Sequence, residues 1–239
     1  MNRGTRSDPR SRSRLTLRRG RGTITSALGV LLLASVGRET FTGGRRVPAR
    51  VPAGGRLPTR IPAGANAEGD GIVVGQGPAS VDVYVDFLCP FCAHFERTSG
   101  PLLRGMVAEG RISLVYHPMG FLDELSTTRY SSRASAASGC ASDGGMFLPY
   151  AYELFAHQPP EGGPGLSDDR LIQLGDEVGL PEPDFARCVR NATYLDWAAY
   201  VTDRALARGV AATPTVFVQG VPVPANPHTV AAAVTAVTR

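Results

Sequence analysis

The feature that most restricts what this chain can fold into is a single junction, Val81-Asp82-Val83-Tyr84-Val85-Asp86-Phe87-Leu88-Cys89-Pro90-Phe91-Cys92. Val81 to Val85 is β-branched and aromatic, the composition of a buried or half-buried strand. Cys92 to Glu109 reads as a helix that buries Phe95, Leu102, Leu103 and Met106, kinks at Pro101 and stops at Gly110. Ile112 to Tyr116 is again a strand. Strand, helix and strand in this order form a right-handed βαβ unit whose two strands are parallel neighbours. Two cysteines three residues apart at the start of its helix share one face of the first turn. Unpaired backbone N–H groups and the helix dipole favour a thiolate there. Cysteines in that position can ionise at roughly 3.5–7 instead of about 8.5. Pro90 fits a first turn, where its missing N–H costs nothing. Cys89, nearer the N-terminus and more exposed, is the expected nucleophile, and Cys92 the residue that resolves a mixed disulfide. A lone CxxC also occurs in zinc sites, so a metal-binding module is the alternative from a different class. A structural zinc site wants four ligands, and the sequence has no second CxxC or CxxH. Ala93 follows the second cysteine where haem attachment needs histidine.

The rest of the domain continues the alternation. Ile72–Val74 is a short first strand. Helical periodicity covers Thr127 to Cys140, Met146 to His157, Ser167 to Gly179, Pro183 to Asn191 and Thr193 to Arg208, with a proline- and glycine-rich loop from Gln158 to Gly165. Ser167-Asp168-Asp169 supplies an N-cap and early acids. The chain returns to strand at Thr215-Val216-Phe217-Val218. An edge strand at Val221-Pro222-Val223 tolerates proline, and an alanine-rich helix runs from Pro227 to Val237. Thr213-Pro214 stands immediately before the returning strand. Most X-Pro bonds are trans, with only about 5–6% cis in folded proteins. In the company of a CxxC, Pro214 is the candidate cis-proline that faces the cysteines and offers Thr213 backbone groups to an extended peptide.

Two segments carry a resemblance. Asp86-Phe87-Leu88-Cys89-Pro90-Phe91-Cys92-Ala93-His94-Phe95-Glu96 resembles the active-site segment of the DsbA-like thioredoxin family, and Gly209 to Val218 resembles its cis-proline segment. The resemblance covers about Gly71 to Arg239. It implies an α/β, thioredoxin-like fold with a helical insertion, about residues 126–208, between the βαβ unit and a C-terminal ββα unit. It implies no organic cofactor, and dithiol–disulfide exchange with exported polypeptide substrates. A separate redox partner would regenerate the pair. Two positions depart from the family pattern. Its best-known oxidases carry histidine where this chain has Phe91, which cannot donate a hydrogen bond. Thioredoxin-like proteins often place a buried acid six residues before the first cysteine, where this chain has Val83, with Asp82 and Asp86 out of register. Oxidase is the expected direction, since no dimerisation module of the kind isomerases use is apparent; reductase and isomerase stay open. His94 either tunes Cys89 or is a solvated first-turn residue, and His117 is expected to be structural. Phe87, Phe91, Phe95 and Phe121 form either an apolar rim for unfolded substrates or part of the core.

Charge divides the chain in two. Residues 1–66 hold fourteen arginines against Asp8 and Glu39, whereas residues 67–239 hold eleven arginines against nineteen acids. The folded part is therefore acidic and would repel phosphate, which argues against a nucleic-acid partner. Residues 1–37 combine an arginine-rich start with the apolar run Ile24 to Gly37, the pattern of a signal peptide or membrane anchor. That run is shorter than the ~20 residues of a comfortable span. The positive flank would keep the N-terminus cytoplasmic and place the remainder outside, in the envelope or secreted. Residues 38–70 repeat Val/Leu/Ile-Pro-Ala/Thr with Gly and Arg, and read as a disordered linker; the domain is expected over 71–239. Cys140 and Cys188 make an even count of four cysteines in an exported chain, which points to a structural bridge closing a 49-residue loop. Two buried thiols or a second redox pair are the alternatives.

Overall fold

The computed structural model describes residues 57–238; the expected signal or anchor segment and most of the expected linker lie outside them. Five strands, β1 (Ile72–Val74), β2 (Ala79–Val85), β3 (Ile112–Pro118), β4 (Thr215–Val218) and β5 (Val221–Val223), form one sheet in the order β1-β3-β2-β4-β5. Strand β2 pairs in parallel with β3, Val83 beside Tyr116, and antiparallel with β4, Val83 beside Val216. The parallel pair is joined by α1 (Pro90–Ala108), which runs on through Pro101. Between β3 and β4 stand a short 3-10 turn (Asp123–Leu125) and five helices: α2 (Tyr130–Asp143), α3 (Phe147–Ala156), α4 (Asp168–Glu177), α5 (Asp184–Arg190) and α6 (Leu195–Ala207). Helix α7 (Pro227–Val237) closes the fold. This is the thioredoxin-like α/β arrangement with a helical insertion. The β4–β5 hairpin turns on Gln219 and Gly220, both at positive φ, as a two-residue turn matched to strand twist requires.

Successive residues of β3 separate the two faces of the sheet. On one face the Tyr116 hydroxyl donates to Glu96 of α1 at 3.0 Å, and α7 packs beside α1. On the other, His117 stacks on Tyr84 with ring centroids 4.2 Å apart, and α6 reaches the same pair, its following residue Arg208 donating to the Tyr84 hydroxyl at 2.9 Å. His117 is buried, with Nδ1 2.6 Å from the Asp70 carbonyl and Nε2 3.1 Å from Asp82 Oδ1. It therefore holds the sheet to the segment before β1.

That segment corrects the expected domain boundary. Residues 57–70 read by composition as linker, yet they are tied to the domain. The Thr59 amide donates to Asp196 at 2.7 Å and the Ala63 amide to Asp143 at 2.9 Å. The Trp197 indole donates to the Gly69 carbonyl at 2.8 Å, and Ala65 bridges to Ile72. Prolines deny this stretch a regular ladder of its own, so its backbone groups are satisfied by side chains of α2 and α6.

Cys140 on α2 is disulfide-bonded to Cys188 on α5. Helix α2 is unusual in being buried nearly all round while made mostly of Ser, Ala and Gly. Small side chains let α3, α5 and α6 pack closely about it.

Candidate active site

The junction after β2 places both free cysteines at the start of α1. Cys89 is the N-cap, in an extended conformation with no side-chain cap, and Pro90 is the first helical residue. The turn is held by its own backbone: the Cys89 amide donates to the Asp86 carbonyl at 3.1 Å, and the Cys92 amide to the Cys89 carbonyl at 3.0 Å. Cys92 is fully buried and Cys89 nearly so, at 4% exposure.

The two sulfurs sit in different surroundings. Cys89 Sγ accepts from the Cys92 thiol, lies 3.3 Å from the Thr213 carbonyl, and is met by the backbone N–H groups of Cys92 and Phe91. The Cys92 hydrogen bond is the largest influence and outweighs burial, so Cys89 is lowered to about 6. Cys92 is pushed well above the ordinary range, first by burial and then by the neighbouring Cys89 sulfur, although the Asp86 amide donates to its Sγ at 3.4 Å. One sulfur is thus favoured as a thiolate near neutrality and its partner is kept protonated, with asymmetry of the kind expected from the helix start.

The peptide bond Thr213-Pro214 is cis, and the loop it belongs to brings Thr213 against Cys89 across 124 positions of sequence. Phe91 points away from the fold at 75% exposure. His94 is exposed, and no hydrogen bond joins its ring to either cysteine. Of the four aromatics considered for an apolar rim, Phe87 and Phe95 belong to the core, Phe121 is half-buried, and Phe91 alone is exposed.

Asp86, three residues before Cys89, is a member of the site that spacing did not single out. It is buried; Oδ1 accepts from the Leu88 amide at 2.8 Å and the Ser131 hydroxyl at 2.7 Å, and Oδ2 from the Leu122 amide at 2.8 Å. Burial raises it to about 6 despite these donors. One carboxyl therefore ties the turn before Cys89 to the loop after β3 and to α2. Val83, at the position where an acid was looked for, faces the core.

Among the described residues, Cys89 and Cys92 join no group of three metal-ligating side chains. Glu153, His157 and Glu177 do approach one another, but all three are half-buried or exposed, and Glu177 is paired with Arg170 at 2.7 Å. No helix of the described residues is long and apolar enough to cross a membrane.

A thiolate-prone N-cap cysteine, a buried partner three residues on and a cis-proline loop against the first sulfur, on this sheet order, define the DsbA-like class of thiol–disulfide oxidoreductases. The thioredoxin family model matches residues 67–237, and the chain belongs to that family. Among solved structures it is similar to a reduced disulfide bond oxidoreductase (DsbG) from Mycobacterium tuberculosis, at 33% identity and a TM-score of 0.63 over 71% of this chain and 88% of that one. Reduced DsbA from the same organism is 32% identical, with a TM-score of 0.63 over 70% and 92%. Among curated proteins it is 31% identical over 138 residues to the serine/threonine-protein kinase PknE of M. tuberculosis, covering 54% of this chain and 24% of the kinase. The chain thus spans about a quarter of the length of that curated relative.

The cysteine asymmetry has a direct consequence. Alkylation of Cys89 in the reduced protein is expected to rise with pH through a midpoint near 6 and to level off by about pH 8, whereas an ordinary thiol, at about 8.5, is still climbing there. Since the folded value lies below the unfolded one, thiolate stabilisation of the reduced fold is full above the unfolded value and is lost as pH falls through about 6. A midpoint above 8 in the rate profile would contradict the assignment of Cys89 as the activated sulfur. Asp86 ionises in the same range, so the curve should be broader than that of one group.

Proposed function

We propose that this chain is an extracytoplasmic protein-disulfide oxidoreductase that introduces disulfides into exported polypeptides through Cys89 and Cys92. The observation that carries the reading is the stabilised Cys89 sulfur beside the Thr213 carbonyl, with Cys92 buried behind it. A sulfur ionised at about 6 stabilises the reduced form at neutral pH, and a stabilised reduced form makes the disulfide form an oxidant.

The chemistry follows from the burial difference. A substrate thiolate attacks Cys89 Sγ of the Cys89–Cys92 disulfide; the bond between the two cysteines breaks, and Cys92 leaves and takes a proton. The Asp86 N–H, 3.4 Å from Cys92 Sγ, supports the leaving charge. A second substrate thiolate then attacks the substrate sulfur of the mixed disulfide and expels Cys89 as its stable thiolate. Two electrons have passed from substrate to enzyme, and a partner oxidant must remove them. Thr213 and Pro214 position the incoming chain. Pro214 has no N–H, so it leaves this position of the loop free of a competing donor. Phe91 gives the substrate an apolar contact next to the reactive sulfur. Residues 1–37 would deliver the domain outside the membrane, as a cleaved signal or a retained anchor.

Phe91 favours the reductase as second reading, because it adds no hydrogen bond to the thiolate. The potential against glutathione decides between them. A value above about −200 mV, with oxidative refolding of a reduced, denatured substrate, is expected; a value near about −270 mV, that of thioredoxin, would sink the oxidase direction in favour of reduction.

A further inference from the structure

We infer that Gln158 is a positioning residue for the redox pair, a side-chain clamp that sets how strongly the Cys89 thiolate is stabilised. The inference rests on the redox reading of Cys89 and Cys92 and adds a control that acts on them from the helical insertion.

Gln158 follows α3 and opens the loop that runs to Gly165. Its Nε2 donates to the Phe87 carbonyl at 2.9 Å and to the Cys89 carbonyl at 3.0 Å, across about seventy positions of sequence. Both partners can only accept, so the amide must present its nitrogen, and its two hydrogens are shared between two carbonyls of one turn. Among the described residues no other donor meets the Phe87 carbonyl. Phe87 is fully buried, so without Gln158 an acceptor in the core's edge would lack a partner, a costly state for a backbone group. The clamp is itself held in place. Pro159 restricts the Gln158 backbone to extended conformations. Just before it, Phe155 packs its ring on Phe87, centroids 4.9 Å apart.

The bond to the Cys89 carbonyl gives the clamp a chemical role. That carbonyl already accepts from the amides of Cys92 and Ala93, the bonds that start α1. The N–H groups of Phe91 and Cys92 belong to the same turn and favour the Cys89 thiolate, the Cys92 N–H being shared with the Cys89 carbonyl. Holding the Cys89 carbonyl from Gln158 fixes the turn that carries those N–H groups beside the sulfur. Releasing it loosens those donors and weakens the thiolate, which makes the pair a poorer oxidant.

Two substitutions test this. Gln158→Met keeps the length and volume but removes the donor; Gln158→Glu keeps the shape and turns an acceptor toward two carbonyls. The ionisation constant of Cys89, followed by ultraviolet thiolate absorbance against pH, is expected to fall three- to tenfold in Gln158→Met and further in Gln158→Glu. The equilibrium with glutathione should move toward the disulfide form by the same factor, about 15–30 mV for the three- to tenfold range. A merely structural glutamine would lower the unfolding midpoint and leave both constants within twofold of the parent, and that result overturns the inference. If the parent shows no thiolate titration that Cys89→Ser abolishes, the redox reading itself fails and takes this inference with it.

Discussion

Replacing Cys89 by serine is expected to reduce thiol–disulfide exchange to background, a loss on the order of 10³-fold or more, while the protein stays folded. Only a thiolate attacks and only a disulfide sulfur accepts attack at useful rates, whereas a serine hydroxyl in the same place forms no disulfide and remains protonated at every accessible pH. Cys89 carries the one stabilised sulfur of the site: it accepts from Cys92 and is met by the amides of Phe91 and Cys92. Cys92→Ser should behave differently. A serine hydroxyl can still donate toward Cys89, so the nucleophile survives, but nothing is left to resolve the mixed disulfide. With a disulfide substrate, Cys89 attacks one sulfur and the other leaves as a thiolate, so the mixed disulfide should then accumulate and be visible by mass as one substrate per protein, released by reductant. Insulin reduction and oxidative refolding measure the first variant, and intact mass the second. Exchange unchanged in Cys89→Ser would remove the redox assignment; adducts forming on Cys92 instead of Cys89 would reverse the two roles.

The parts of this site that were legible in sequence are those written by local chemistry. A β-branched run ending in CPFC, followed by a helical period, gives strand, N-cap cysteine and helix without reference to the rest of the chain. The parallel pairing of β2 with β3 follows from the helical crossover that joins them, and it sets Val83 beside Tyr116. What could not be read depends on partners far away in sequence. Asp86 gains its place in the site from the Leu122 amide and the Ser131 hydroxyl, 36 and 45 positions later. Gln158 lies in a stretch whose prolines and glycines mark it only as a loop. Proline-rich composition reads as linker up to about Gly71, and nothing local announces that Asp143, Asp196 and Trp197 supply bonds to residues 59–69. The aromatics show the same limit. Phe91 and Phe95 are spaced to lie on one side of a helix, yet one is 75% exposed and the other 1%, because period alone does not say where a helix passes the edge of its sheet.

The second large effect concerns the Cys140–Cys188 bridge, and it separates two readings that the cysteine count left open. The bond joins α2 to α5 across 48 positions, and restricting a loop of that length in the unfolded chain stabilises the fold by about 4 kcal/mol at most before native strain is subtracted. The double variant Cys140→Ala/Cys188→Ala should therefore lose about 2–4 kcal/mol in urea unfolding and roughly 5–15 °C in Tm. The parent, treated with enough reductant to open the bridge, should fall to the same midpoint, and the variant should not respond to reductant. A loss below about 1 kcal/mol would show that packing around α2, with its small buried residues, already holds the insertion without the bond. Exchange activity makes the sharper distinction. The insertion touches the redox junction through the Ser131 hydroxyl on Asp86 and the Gln158 amide on the Phe87 and Cys89 carbonyls, and not through a sulfur. A structural bridge predicts that the double variant, assayed well below its lowered midpoint, exchanges disulfides at the parental rate through Cys89 and Cys92. A second redox pair that relays electrons predicts instead that regeneration slows in the folded variant while single-turnover attack of substrate on Cys89 is untouched. The geometry of the junction favours the first outcome: the Cys89 sulfur is surrounded by Cys92, Thr213 and backbone amides, with Cys140 and Cys188 absent from its contacts.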